Sequence, residues 1–219
     1  NDKLSPTMTI SSSTVNSGES SNDSTISLTF TSSESTTNFV ESDITISGGS
    51  LSNFSGSGTT YTATLTPSGD TTYTISVAQN KFTDSAGNNN SESNTFSWTY
   101  DSTAPTITGV TLASDNSTIT VTFSETVWNY DLSPNSTGSL EVTDFVFELS
   151  GGTASLSSTT PSSISINGTE YTLGISLSGT PNGSEILTVN PVLNSIYDIV
   201  GNVASTSQSN NSISLNDKL

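Results

Sequence analysis

Oxygen-bearing side chains recur beside the chain reversals of this sequence: Glu34, Asp43, Asp84, Asn88 and Asp101 in the first half, and Glu125, Asp144, Asp198, Asn202 and Asp217 in the second. Calcium is a hard cation that takes six to eight oxygens from carboxylates, Asn side chains, main-chain carbonyls and water. The expected grouping joins Asp101 with Asp84 and Asn88 from the loop before the preceding strand, and with Asp43 or Glu34 from another loop. Asp217, Asp198, Asn202, Asp144 and Glu125 are their counterparts. Each Asp-x-x-Gly-Asn run (84–88, 198–202) is also a self-sufficient turn, in which Asp caps the main chain two residues on and Gly takes positive φ. Both readings stand, the turn alone and the turn that also presents oxygens to a metal. Neither run has the spacing of an EF-hand or of a nonapeptide β-roll.

Other chemistries are excluded by what is missing. The 219 residues contain no Cys, His or Arg, so thiolate zinc sites, disulfides and the Ser-His-Asp and Cys-His arrangements cannot be built. Three Lys against 20 Asp and Glu give a net charge of −17. That charge repels nucleic acid and anionic lipid and favours divalent cations. Paired carboxylates that hydrolyse glycosides need a concave cleft. Small repeated domains offer none, and no enzyme is expected. No run is apolar enough to span a bilayer, and any export signal lies outside these residues.

The elements that position the acids follow from a two-residue period. Apolar residues alternate with Ser or Thr in ISLTF (26–30), YTATL (61–65), YTISV (73–77), FSWTY (96–100), ITVTF (119–123) and YTLGISL (171–177). This is the pattern of half-buried strands, and it outweighs the disorder that low hydrophobicity and high charge would otherwise suggest. Turn signals fall between the strands, among them Ser47-Gly-Gly, Pro67-Ser-Gly-Asp, Ser150-Gly-Gly and Asn167-Gly168. The last is expected to form a type I′ hairpin with Asn and Gly at its centre. Many short strands without an amphipathic helix predict an all-β chain of antiparallel immunoglobulin-type sandwiches. Trp98 alternates with Phe96 and Tyr100 and is expected in a core. Trp128 and Tyr130, ahead of an inserted loop at 131–142, offer either loop packing or an exposed pair that stacks on a sugar.

The halves answer each other. TISLTF (25–30) matches TITVTF (118–123), Asp43 and its Gly-Gly match Asp144 and its Gly-Gly, and Asp84-x-x-Gly-Asn matches Asp198-x-x-Gly-Asn. Two copies of one domain are read, 1–101 and 102–219, the second with longer loops. Asn-Asp-Lys-Leu opens the chain at 1–4 and returns at 216–219, where a linker belongs. One period of a longer tandem array is therefore expected.

The run from Phe30 to Thr108 resembles the bacterial Ig-like domains that repeat along giant surface adhesins and biofilm-associated proteins. The resemblance is carried by Ser33-Glu34 followed by Phe39, Asp43-Ile44-Thr45, Gly48-Gly49, the Tyr61 strand, Asp84-x-x-Gly87-Asn88 and Asp101-x-x-Ala104-Pro105. Residues 109–219 resemble a divergent relative. The resemblance implies rod-forming extracellular modules at a bacterial cell surface that space an adhesive tip from its anchor, with calcium at the linkers. Lys3 beside Asp2 argues against an ion at the opening linker.

The function expected is a structural spacer whose partners are adjacent repeats. The alternatives are a subunit of a self-assembling filament or sheath, in which identical subunits pair, and a module that binds a glycan or cell-surface receptor. No nucleic acid and no membrane insertion are expected. A Thr-rich ice-binding face is disfavoured because turns interrupt the strands.

Overall fold

A computed structural model describes residues 2–130 and 135–219. Residues 131–134, the start of the inserted loop, lie outside the described residues. The chain divides into two units, Asn1–Ser102 and Thr103–Leu219. No helix among the described residues is long and apolar enough to cross a membrane.

Among the described residues the first unit holds seven strands: β1 (Met8–Ser12), β2 (Ser20–Ser21), β3 (Ile26–Thr36), β4 (Ile44–Ile46), β5 (Ser50–Thr66), β6 (Thr71–Val77) and β7 (Phe96–Tyr100). They form two sheets, ordered β1-β3-β5 and β2-β7-β6-β4. All pairings are antiparallel except the short parallel contact of β2 with β7. Within β5, Asn53 Nδ2 donates to Thr64 Oγ1 and Ser55 Oγ shares a hydrogen bond with Thr62 Oγ1, so this stretch doubles back around its Gly-Ser-Gly turn.

Alternation decides which side chains enter the core. Ile26, Leu28 and Phe30 of β3 and Tyr61, Ala63 and Leu65 of β5 face Tyr73, Ile75 and Val77 of β6 and Phe96 and Trp98 of β7. Burial of each large apolar side chain stabilises the fold by about 1.5–3 kcal/mol before conformational entropy is subtracted. Trp98 is fully buried and its Nε1 donates to Ser21 Oγ at 3.0 Å, so the indole satisfies its one donor inside the core.

Among the described residues the second unit has nine strands: β8 (Ile107–Leu112), β9 (Thr118–Phe123), β10 (Phe145–Ser150), β11 (Ser155–Leu156), β12 (Ile164–Asn167), β13 (Glu170–Gly174), β14 (Leu177–Ser178), β15 (Ile186–Pro191) and β16 (Ser212–Ser214). Its main sheets are β12-β13-β9-β8 and β10-β15-β16, with β11 and β14 as a separate pair. The plan of the first unit returns, since β8, β9 and β13 stand where β1, β3 and the second half of β5 stood, and β10, β15 and β16 repeat β4, β6 and β7. The fold is all-β, two antiparallel sandwiches with separate cores.

One turn departs from expectation. Asn167 pairs with Glu170 across the β12–β13 hairpin, so the two-residue loop is Gly168-Thr169, one residue later than predicted. Gly168 has φ 62° while Asn167 and Thr169 keep negative φ. Positive φ at the first central residue alone is the II′ arrangement, not the I′ arrangement read from the Asn-Gly pair.

Candidate metal centre

The loop carrying Asp84 lies between β6 and β7 and is held from inside by Asn90. Asn90 Oδ1 accepts the N–H groups of Lys81 (2.7 Å) and Phe82 (3.0 Å), and its Nδ2 donates to the carbonyls of Ala78 and Ser91. Phe82, sunk in the core, anchors the loop further. Asp84 then caps its own turn. Its Oδ1 accepts from Ala86 N and Asn88 N, both at 2.8 Å, and its Oδ2 from Asn88 Nδ2 at 2.8 Å. The Asn88 amide, more than offsetting the cost of burial, keeps the Asp84 carboxyl below its ordinary range.

Glu34 sits near the end of β3, past a register shift between Thr31 and Thr36. The opening segment is strapped beside it. Thr7 N donates to Ser33 Oγ at 2.9 Å, Ser33 N to the Thr7 carbonyl at 2.9 Å, and Ser91 N to the Pro6 carbonyl at 3.0 Å. These bonds lay residues 2–7 between the end of β3 and the Asp84 loop. As a result one carboxylate oxygen each from Asp2, Glu34 and Asp84 lies within 4.8 Å of the others. Glu34 Oε1 is buried and has no hydrogen-bond partner. Burial first, then the charges of Asp2 and Asp84, push the Glu34 carboxyl above its ordinary value.

Three converging carboxylates with an orphaned buried oxygen form a donor set of hard oxygens. This suits calcium, and magnesium less well because it demands stricter octahedral geometry. Water and main-chain carbonyls would complete the six to eight ligands.

The other residues singled out in the sequence lie as follows. Asp101 stands beyond β7 from Asp84, about 13 Å of strand away, where its N–H donates to the Ser21 carbonyl. It is therefore Asp2 of the incoming linker, set aside because of Lys3, that meets Glu34 and Asp84, and not Asp101 of the outgoing one. Asp43 and Asp144 end matching 3-10 turns and accept the N–H groups of Val40 (3.0 Å) and Glu141 (2.7 Å). Burial raises the Asp144 carboxyl above its ordinary value. Asp198 repeats the Asp84 turn: Oδ1 accepts from Val200 N (2.9 Å) and Asn202 N (2.7 Å), and Oδ2 from Asn202 Nδ2 (2.8 Å). Asp217 Oδ1 accepts the Leu219 N–H at 2.9 Å.

Glu125 follows Ser124, whose Oγ accepts the Thr106 N–H at 3.1 Å and whose N–H donates to the Thr106 carbonyl at 2.8 Å. This is the strap of Ser33 and Thr7 over again. Trp128 is half-buried and exchanges main-chain hydrogen bonds with Tyr197, whereas Tyr130 is 64% exposed, so no exposed Trp-Tyr pair forms.

Sequence reasoning missed Asp2 as a site member. A signal for it was present: Asp2 and Asp101 both stand four residues before a Pro-Thr pair, which puts each at the entry of its unit.

Among solved structures, the chain is similar to the Escherichia coli adhesin FdeC, with 13% identity, a TM-score of 0.41, and coverage of 98% of this chain and 64% of that one. It is also similar to Yersinia pseudotuberculosis InvD, at 18% identity and TM-score 0.33, with coverage of 98% and 58%. For the Yersinia pseudotuberculosis adhesin InvE the values are 14% identity and TM-score 0.29, with coverage of 96% and 58%. The chain thus spans about three fifths of the length of these solved chains. No curated protein matches it in sequence. Residues 2–100 match the family model of the bacterial Ig-like domain. The match covers the first unit, which is similar in sequence to the bacterial Ig-like domain.

Proposed function

We propose that the chain is a spacer of an extracellular bacterial adhesin or fibre, repeated in tandem, whose entry linkers are stiffened by calcium. Asp2, Glu34 and Asp84 hold the ion in the first unit. The observation that carries this reading is the convergence of Asp2, Glu34 and Asp84 within 4.8 Å of one another, with Glu34 Oε1 buried and unpaired. A ligand that bridges a linker Asp to two residues of the domain body removes the freedom of that linker. The partners are neighbouring repeats of the same chain.

Calcium titration and thermal unfolding test this. With free calcium about a hundredfold above its dissociation constant, the first unit is expected to melt on the order of 10 °C higher than in excess chelator. Asp2→Asn and Glu34→Gln each abolish that response and leave the circular dichroism spectrum unchanged. Identical melting curves in calcium and in chelator, with no heat of binding, overturn the cation.

A further inference from the structure

A sheet that ends in an open strand leaves a row of N–H and C=O groups able to take another strand. Among the described residues most edges are closed. In the first unit Asn94 covers β1: its Oδ1 accepts the Ile10 N–H at 2.7 Å and its Nδ2 donates to the Ile10 carbonyl at 3.0 Å. The outer stretch of β5 is broken by Asn53, at φ 54°, and β2 and β4 have three residues or fewer. In the second unit the end strands β8 and β16 lie against each other, and Phe147 N of β10 donates to the Thr159 carbonyl at 2.7 Å. The pair β11 and β14 is two residues long.

No such device protects β12, the end strand of β12-β13-β9-β8. Gly174 N donates to the Ser163 carbonyl, so by alternation Ser165 and Asn167 also bond toward β13, while Ile164 and Ile166 turn their main-chain groups outward. No described residue bonds those groups. Ile166 is 46% exposed and Ile164 is partly buried against the core. Between Glu148 and Glu170 the sequence has no charged residue. A chain carrying −17 therefore presents a neutral strand edge here, without the Lys, Pro or bulge by which exposed strands avoid one another.

We propose that β12 pairs edge to edge with β12 of a second copy of this chain, antiparallel about a two-fold axis at Ser165. In that register Ile164 stands opposite Ile166 of the second copy, and the outward N–H and C=O groups of both residues on both strands find partners. Each exposed Ile166 then covers Ile164 of the second copy. The axis is perpendicular to the sheets, so their core faces stay on one side and two four-stranded sheets become one. The hairpins point opposite ways, which puts the two Glu170 carboxylates at opposite ends of the joint. A basic strand, which the acidic surface would draw, finds no carboxylate within β12 to pair with; a second neutral edge fits it without one. One strand pair buries well under the roughly 1,200 Å² of a stable complex, so free chains pair transiently and the contact tightens where many copies are held together. The inference depends neither on calcium nor on tandem repetition.

The test is covalent capture. The chain has no cysteine, so a single introduced Cys can bond only to the same residue of another copy. Across the axis Ser165 forms a non-hydrogen-bonded pair with its equivalent, with Cα atoms about 4.5 Å apart, a separation a disulfide spans. In excess chelator with oxidised glutathione, Ser165→Cys is expected to dimerise about tenfold faster or more than Ser52→Cys, which is also exposed but lies on the broken edge of β5, because pairing raises the local thiol concentration. Rates are scaled by each thiol's reaction with a small disulfide. Added to Ser165→Cys, Ile166→Pro removes an outward N–H that β12 does not use in its own sheet, and Ile166→Glu puts like charges across the joint. Each should bring dimerisation down to the Ser52→Cys rate with the circular dichroism spectrum unchanged; if the Pro variant loses its fold, the Glu variant decides. Dimerisation of Ser165→Cys at the Ser52→Cys rate, or fast dimerisation that survives Ile166→Glu, overturns the pairing.

Discussion

Glu185 has no exposed surface, yet it holds its charge far below the usual carboxylate range. Its Oε1 accepts the N–H groups of Thr153 (2.7 Å), Ala154 (3.0 Å) and Asn182 (3.2 Å), and its Oε2 accepts Asn182 N at 3.1 Å. These main-chain donors outweigh burial and bring its pKa down from 4.5 to about 2. The folded value lies below the unfolded one, so the stabilisation is complete above about pH 4.5 and is lost as pH falls toward 2. Glu185→Gln should lower the second unit's melting temperature at pH 7 and flatten its pH dependence between about 4.5 and 2, as thermal melts across that range would record. Glu34 has the opposite sign. Its folded pKa is raised, so in metal-free protein its contribution is present only below the unfolded value and disappears as pH rises through the folded one. In chelator at neutral pH, Glu34→Gln is therefore expected to raise the first unit's melting temperature while abolishing the calcium response. A lower melting temperature in chelator would show that the Glu34 charge is already compensated.

At the scale of elements, the Gly-Gly runs that follow β4 and β10 are fixed by space as well as by φ. Gly49 has φ 73°, and a Cβ there would stand 2.5 Å from the Thr66 carbonyl oxygen; Gly151 has φ 75°, with the Ser184 oxygen at 2.6 Å. Gly168 also has positive φ, but nothing lies within 4 Å. Alanine at Gly49 or Gly151 should cost about 3 kcal/mol or more, against about 1 kcal/mol at Gly168, read from denaturant unfolding. Much of this level was legible in the sequence. The alternating runs at 26–30, 61–65, 73–77, 96–100 and 119–123 all lie in strands because period-two patterning carries the burial directly. Asn167-Gly168 announced a hairpin but not its register, which the pairing of Ile166 with Tyr171 sets by putting Tyr171 into the core. The candidate triad of Asp2, Glu34 and Asp84 was only half legible. Glu34 and Asp84 belong together because β3 ends beside the β6–β7 loop, a fact of sheet order that no spacing encodes. Asp101 was grouped with them as the acid of the linker at the middle junction, although β7 carries the chain away from Asp84 before Asp101 is reached.

At the scale of the molecule, the acids divide evenly, ten in each unit, against two Lys in the first and one in the second. Repulsion among them is diffuse and is screened by any salt over roughly 10 Å at 0.1 M. A bound cation acts at one place instead. The two effects separate in calorimetry, because each unit has its own core and is expected to unfold in its own transition. Gly49→Ala should lower one transition and Gly151→Ala the other, which assigns them. Sodium chloride is then expected to raise both gradually, equally in the parent and in Glu34→Gln, since screening does not depend on one carboxylate. Calcium at the same ionic strength should raise the transition assigned to the first unit much further, and Glu34→Gln should remove that excess and leave the second unit's transition unchanged. If sodium chloride reproduced the whole calcium effect, Asp2, Glu34 and Asp84 would be three more surface acids relieved by screening, and the entry segment would be held only by its hydrogen bonds to Ser33 and Ser91.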